Sequence, residues 1–132
     1  MEKKKNKMGR PRAIESPEVM YQLFQEYCEH TKANPIKVKD WVGGMAKPVV
    51  REKEIPYTLE GFEIYCFKQG IISDLARYFS NLDGAYEEFR PICSNIKRII
   101  REDQINGGMA GIFNASITQR LNNLVEKNRE QA

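Results

Sequence analysis

The stretch from Pro56 to Asn81, PYTLEGFEIYCFKQGIISDLARYFSN, limits the fold more than any other part of the chain. It holds two short helical patterns separated by a glycine. Thr58 is placed to cap the first helix, and Leu59, Phe62 and Cys66 recur along one side of it. Gly70 lets the chain turn. Ser73 is placed to cap a second helix. Leu75, Phe79 and Leu82 are spaced to face the first helix, which leaves Asp74, Arg77, Tyr78 and Asn81 outward. Two short helices joined by a tight turn form a helix-turn-helix, expected over 57–82. An ordinary helical hairpin in a bundle would show the same spacing. An exposed second helix carrying Arg77, Tyr78 and Asn81 has the size and the donors to enter a DNA major groove, so these three are candidate DNA contacts.

The flanking segments point to a mainly α fold. Ser16-Pro17 reads as a cap followed by proline at the first helical position. The helix it opens carries Val19, Met20, Leu23, Phe24, Tyr27 and Cys28 as one stripe and ends near Asn34-Pro35. Residues 36–55 change texture. IKVKDWV alternates and PVVREKEI is rich in β-formers, with Gly43–Lys47 between them as a hairpin loop. Lys37, Lys39, Arg51 and Lys53 are placed to pair with Asp40, Glu52 and Glu54 across the strands. A two-stranded hairpin is marginal alone and must pack on helices or on a neighbouring subunit. Trp41, the only tryptophan, is the candidate anchor. The alternative for 36–55 is an unstructured insertion.

After a break at Leu82-Asp83-Gly84, a long helix is expected over 85–106, with Pro91 kinking it or marking a new start. Phe89, Ile92, Cys93, Ile96, Ile99 and Ile100 form a wide apolar seam, broad enough for the domain core and a second subunit. Arg90, Lys97 and Arg101 form a basic line on another side, either solvated or facing phosphate. Gly107-Gly108 is expected to end the helix. A last helix over 116–127 presents Ile117, Leu121, Leu124 and Val125 for docking in cis or in trans.

The charge is unevenly distributed. The first 12 residues hold six of the 21 basic residues (Lys3, Lys4, Lys5, Lys7, Arg10 and Arg12) and one of the 18 acidic ones, so the remainder is slightly acidic. A disordered basic arm over 1–15 is expected, attracting phosphate by counterion release or serving as a solubilising tail. Gly9-Arg10-Pro11 resembles the core of an AT-hook, an extended segment that lies in a narrow minor groove. No apolar segment follows the arm, so a secretory signal is not expected. No apolar run approaches the roughly 20 residues of a membrane span. The rest, 16–132, reads as a single helical domain.

Chemistry is sparse. Cys28, Cys66 and Cys93 are far apart, only His30 could join them, and buried free thiols are expected rather than zinc ligands. There is no phosphate loop of the GxxxxGK[ST] type and no GxSxG elbow. Glu87-Glu88 and Glu102-Asp103 are adjacent on a helix and therefore point about 100° apart, which does not make a metal clamp or an acid-base pair. No cofactor, metal site or catalytic residue is expected.

The order of these segments resembles the small terminase subunits, DNA-packaging proteins of tailed bacteriophages. The resemblance rests on PYTLEG at Pro56–Gly61, on Tyr86-Glu87-Glu88-Phe89 leading into Ile96-Lys97-Arg98, and on Gly111-Ile112-Phe113-Asn114 before the last helix. It implies a non-enzymatic protein of the host cytoplasm that binds double-stranded DNA at the packaging site. It also implies assembly into rings of roughly eight to eleven subunits and recruitment of the large terminase subunit, which carries the ATPase and nuclease. The fold expected is mainly α: a helix-turn-helix DNA-binding core with a β-hairpin insertion and C-terminal oligomerisation helices over 85–127. Lys3, Lys4, Lys5, Lys7, Arg10, Arg12, Arg77, Tyr78, Asn81, Lys97 and Arg101 are the DNA candidates. Trp41, Phe89, Ile92, Ile96, Ile99 and Ile100 are the subunit-interface candidates. Asp74 at the start of the second helix suits the helix dipole but repels phosphate, which shifts DNA contact toward the arm and the basic line. The alternatives are a dimeric helix-turn-helix regulator and an assembly adaptor that binds only protein.

Overall fold

The computed structural model describes residues 13–42, 47–71 and 74–124. It is mainly helical, with one two-stranded antiparallel hairpin inserted between helices. The elements are α1 (Pro17–Ala33), β1 (Ile36–Val42), β2 (Lys47–Lys53), α2 (Leu59–Lys68), α3 (Leu75–Ser80), α4 (Arg90–Met109) and α5 (Ala115–Leu121). The chain divides into two compact units, 1–28 with 58–98 and 29–57 with 99–132.

The first unit has an aromatic core. α1 starts as its sequence requires, with the Ser16 hydroxyl accepting from the Val19 N–H at 3.2 Å and Pro17 in the first turn. Met20, Leu23, Phe24 and Tyr27 are buried. Phe62 meets Phe24 edge-on at 5.2 Å, and Phe89 meets Tyr78 edge-on at 4.9 Å. Thr58 caps α2 by accepting from Gly61 N–H at 2.9 Å. Its backbone is held by Tyr27, whose hydroxyl accepts from Thr58 N–H at 3.0 Å and faces Thr58 O at 3.2 Å. α2 ends where expected. Gly70 takes φ +85°, and the N–H groups of Gly70 and Ile71 reach back to the carbonyls of Phe67 and Cys66, a Schellman ending that needs a left-handed residue. The end of the expected 1–15 arm is instead anchored here, because an apolar side chain at position 14 finds a place in this core. Ile14 is fully buried, and its N–H donates to the Tyr78 hydroxyl at 3.1 Å.

Several boundaries differ from expectation. α3 is capped by Asp74, whose carboxylate accepts from Ala76 N–H, and Ser73 lies outside the described residues. Leu75 and Tyr78 are its buried side chains, while Leu82 is 46% exposed. The long helix begins at Arg90, with Pro91 marking its start. A separate 3-10 turn occupies Glu87–Phe89.

The second unit has a polar centre. The hairpin pairs Lys37 with Glu52, Lys39 with Val50 and Trp41 with Pro48, and Arg51 bonds Asp40 diagonally at 2.9 Å. The connecting residues 43–46 lie outside the described residues. The Lys32 ammonium lies 2.7 Å from Glu54, 2.9 Å from Asp103 and 3.0 Å from the Ile55 carbonyl, with the Tyr57 ring centre at 4.4 Å. Asp103 also accepts from Tyr57 N–H at 2.9 Å, and Gln104 donates to Tyr57 O at 2.7 Å. Asn122, buried, donates to Gln104 Oε1 at 2.9 Å.

Gly107 and Gly108 do not end α4. They are buried in its last turn, and the helix runs on to Met109. A Cβ on Gly107 would overlap the Phe113 ring, and one on Gly108 would sit 2.9 Å from the Thr118 side chain. The glycines are there for close approach. This predicts an inverted glycine effect. At an open helical position Gly→Ala gains about 1 kcal/mol. Gly107→Ala is expected to lose about 1–2 kcal/mol because the Phe113 ring must leave its place. A urea melt of the variant checks the sign.

α5 is shorter than the expected 116–127 and is rotated. It stops at Leu121, capped by Asn122, with Asn123 left-handed. Thr118 and Asn122 face inward, whereas Ile117 is 54% and Leu121 62% exposed. Val125 lies outside the described residues. Thr118 takes the inward place because it lies against Gly108, and Asn122 because Gln104 meets its amide.

Candidate nucleic-acid interface

The helix pair α2–α3 presents less to solvent than its sequence implies. α3 has six residues, about 9 Å of helix. Arg77 is exposed, its guanidinium only loosely associated with Asp74 at 3.8 Å. Tyr78 is not outward. It is 3% exposed, packed between Tyr86 at 4.4 Å and Phe89 at 4.9 Å. A six-residue helix has less than two turns, so one buried residue more or less rotates the assignment of its faces. Asn81 is half-buried and structural. It adopts φ +54°, its side-chain oxygen accepts from Tyr86 N–H at 2.7 Å, and its amide donates to Glu87 at 2.8 Å. Asn tolerates this conformation better than most residues. Its amide is therefore engaged in closing the turn after α3 rather than presented for base reading.

The basic line on α4 is solvent-exposed but partly engaged. The Arg90 guanidinium donates to Glu87 at 3.3 Å. Lys97 places its ammonium 5.9 Å from the Phe79 ring centre. Arg101 donates to the Asn122 carbonyl at 2.9 Å and thereby closes the end of α5. The arm residues Lys3, Lys4, Lys5, Lys7, Arg10 and Arg12 lie outside the described residues.

The apolar seam of α4 is not an open surface. Phe89 and Ile96 are fully buried and Ile100 is 8% exposed, so these three are occupied by the chain's own core. Ile92 and Ile99 are half-buried. Trp41, expected to anchor the hairpin, is 64% exposed. The spacing of the seam is right. One side of α4 is used up within the chain, while Arg90, Lys97, Arg98 and Arg101 leave the other side exposed.

Nucleophilic chemistry has little support. Burial pushes the Cys66 thiol up to about 11, with the Glu63 charge adding to it. Burial also pushes the Cys93 thiol up to about 11 against the opposing pull of Lys97. Neither is a ready thiolate. Cys28 is half-buried. Among the described residues no three His, Cys, Asp or Glu side chains gather to hold a metal, and no helix is long and apolar enough to cross a membrane. A shallow hollow on α5 is lined by Ser116, Gln119, Arg120, Asn123 and Leu124, which offer polar contacts without an acid-base pair.

The Lys32, Asp103, Gln104 and Asn122 cluster was not legible from spacing. Its bonded pairs Lys32–Asp103 and Gln104–Asn122 are 71 and 18 positions apart, and no periodicity links them.

No curated protein matches the chain. A family model described as DNA-packaging protein gp3 matches residues 9–129, from the end of the basic arm through the hairpin, the helix pair and α4 to beyond α5. That span contains every element described above, and the chain belongs to the DNA-packaging protein gp3 family.

Proposed function

We propose that this protein is the non-catalytic DNA-recognition subunit of a phage genome-packaging terminase, which forms a homo-oligomeric ring and recruits the large ATPase and nuclease subunit. The family match over residues 9–129 carries the reading. Three features support its parts. The basic arm supplies charge for phosphate. Arg77, Lys97 and Arg101 add exposed cations. A ring needs two different surfaces per subunit, and exposed apolar side chains occur in both units: Ile64 and Phe67 on α2, and Ile112, Ile117 and Leu121 around α5. These take the place of Phe89, Ile96 and Ile100 as self-association candidates.

Native mass measurement tests the assembly. A closed ring is expected, and a dimer would favour the helix-turn-helix regulator instead. Salt-dependent DNA binding tests recognition. Deleting residues 1–12 removes six cations and stops short of the buried Ile14, so the fold should survive. If four to six of them meet phosphates, the slope of log affinity against log salt should become shallower by roughly 4–5. An unchanged slope would remove the arm from the DNA contact.

A further inference from the structure

The hairpin β1–β2 has an unusual distribution of side chains. Opposite residues share a face, and residues alternate faces along each strand. The register therefore groups Lys37, Lys39 and Trp41 of β1 with Glu52, Val50 and Pro48 of β2 on one face. All six are exposed, Trp41 by 64% and Val50 by 62%. On the other face Val38, Asp40 and Val49 are half-buried, while Ile36, Arg51 and Lys53 are exposed. The chain's one tryptophan thus stands on the open side, beside Pro48 and Val50, with two lysines at two-residue intervals on its own strand.

Apolar exposure alone names no partner, but charge and shape narrow the choice. Residues 36–55 carry five basic and three acidic side chains. Two of the acids are engaged, Asp40 by Arg51 and Glu54 by Lys32. Glu52 stands opposite Lys37 and offsets part of its charge. The open face itself then carries Lys37 and Lys39 against one acid, Glu52, beside Trp41, Pro48 and Val50, and so stays net positive and partly apolar, while Arg51 and Lys53 belong to the other face. The B-DNA major groove, about 12 Å wide, admits a two-stranded β-ribbon. Strands of seven residues extend about 23 Å, enough to lie along a groove rather than touch one point.

We propose that the open face of the hairpin is a contact surface for duplex DNA, with Lys37 and Lys39 meeting phosphates and Trp41 packing against sugars or base edges. The proposal rests on the reading that this protein binds DNA, and adds a place of contact separate from the arm and from α3.

The lone tryptophan makes the test direct, because indole emission reports Trp41 only. The full chain is titrated with a fluorescein-labelled duplex oligonucleotide at low salt, following label anisotropy and indole emission together. Emission should change with the same midpoint as anisotropy. The double variant Lys37→Gln with Lys39→Gln, both exposed, should keep the fold. It should bind several-fold more weakly, with a salt slope shallower by roughly 2. A rise in anisotropy with unchanged emission and unchanged slope would overturn the hairpin contact while leaving DNA binding intact. No rise in anisotropy would remove both. Emission that shifts on dilution of the protein but ignores DNA would mean that a second copy of the chain covers this face, which also overturns the proposal.

Discussion

Ile96→Asp is expected to abolish the native fold rather than to release folded monomers. Ile96 is fully buried on α4, in the same core as Phe89 at 0% and Cys93 at 4% exposure. Truncating a buried isoleucine alone costs about 2–5 kcal/mol. An unpaired carboxylate at the same place adds several more, or forces protonation. The sum is comparable with the whole stability of a domain this size, about 5–15 kcal/mol. Far-UV circular dichroism should show loss of the cooperative melt. Ile92→Asp, at a half-buried position on the same helix, is the comparison. It should cost far less, about 1–2 kcal/mol, and any change of mass in that variant would report on the outer flank of α4. A folded Ile96→Asp protein with the parent's melting temperature would place Ile96 outside the core.

Asp103→Ala should have the second largest effect, through the polar centre of the second unit. Its carboxylate meets the Lys32 ammonium at 2.9 Å with one oxygen and accepts from Tyr57 N–H at 2.9 Å with the other. Taking away the acceptor used by a part-buried backbone N–H costs about 1–3 kcal/mol. The ion pair adds about 1 kcal/mol, since the two side chains keep 25% and 16% exposure and water screens them. A total loss of about 2–4 kcal/mol is expected, and Asp103→Asn should recover the part due to the Tyr57 N–H. A chemical melt of the three proteins separates the terms, and equal losses for Ala and Asn would assign the effect to charge alone.

The same cluster predicts an alkaline limit. Burial pulls the Lys32 amine down most strongly. Its hydrogen bonds and charge interactions with Glu54 and Asp103 outweigh that, and the net displacement is upward from the ordinary 10.5. A cation held more tightly in the folded state stabilises it fully below pH 10.5. That contribution is lost as pH rises through the raised folded-state value. Lys32→Met should therefore narrow its stability deficit relative to the parent only in strongly alkaline buffer.

Local chemistry was sufficient for much of this fold. Ser16-Pro17 starts α1, Thr58 caps α2 and Gly70 ends it, because each relies on hydrogen bonds or backbone freedom within a few residues. The apolar period of α1 and α4 and the alternation of the hairpin were readable for the same reason. Long elements repeat their signal enough times to fix a face. α3 does not: six residues left Tyr78 and Asn81 assigned to solvent, whereas Tyr78 packs on Phe89 and Asn81 closes a turn.

Other outcomes depended on partners distant in sequence. Gly107-Gly108 looks like a helix stop until Phe113 and Thr118 lie against it. The stripe of Ile117 and Leu121 looks like a buried face until Thr118 and Asn122 find their places inward. The seam of Phe89, Ile96 and Ile100 states that α4 must bury one side, but not against what. The sequence by itself determined where helices and strands form and which sides of the long ones are apolar, since those follow from capping and period. Only the tertiary structure decided which apolar side is used up within the chain and which, as at Trp41, is left facing water. That choice depends on shape and polar partners brought together from distant positions.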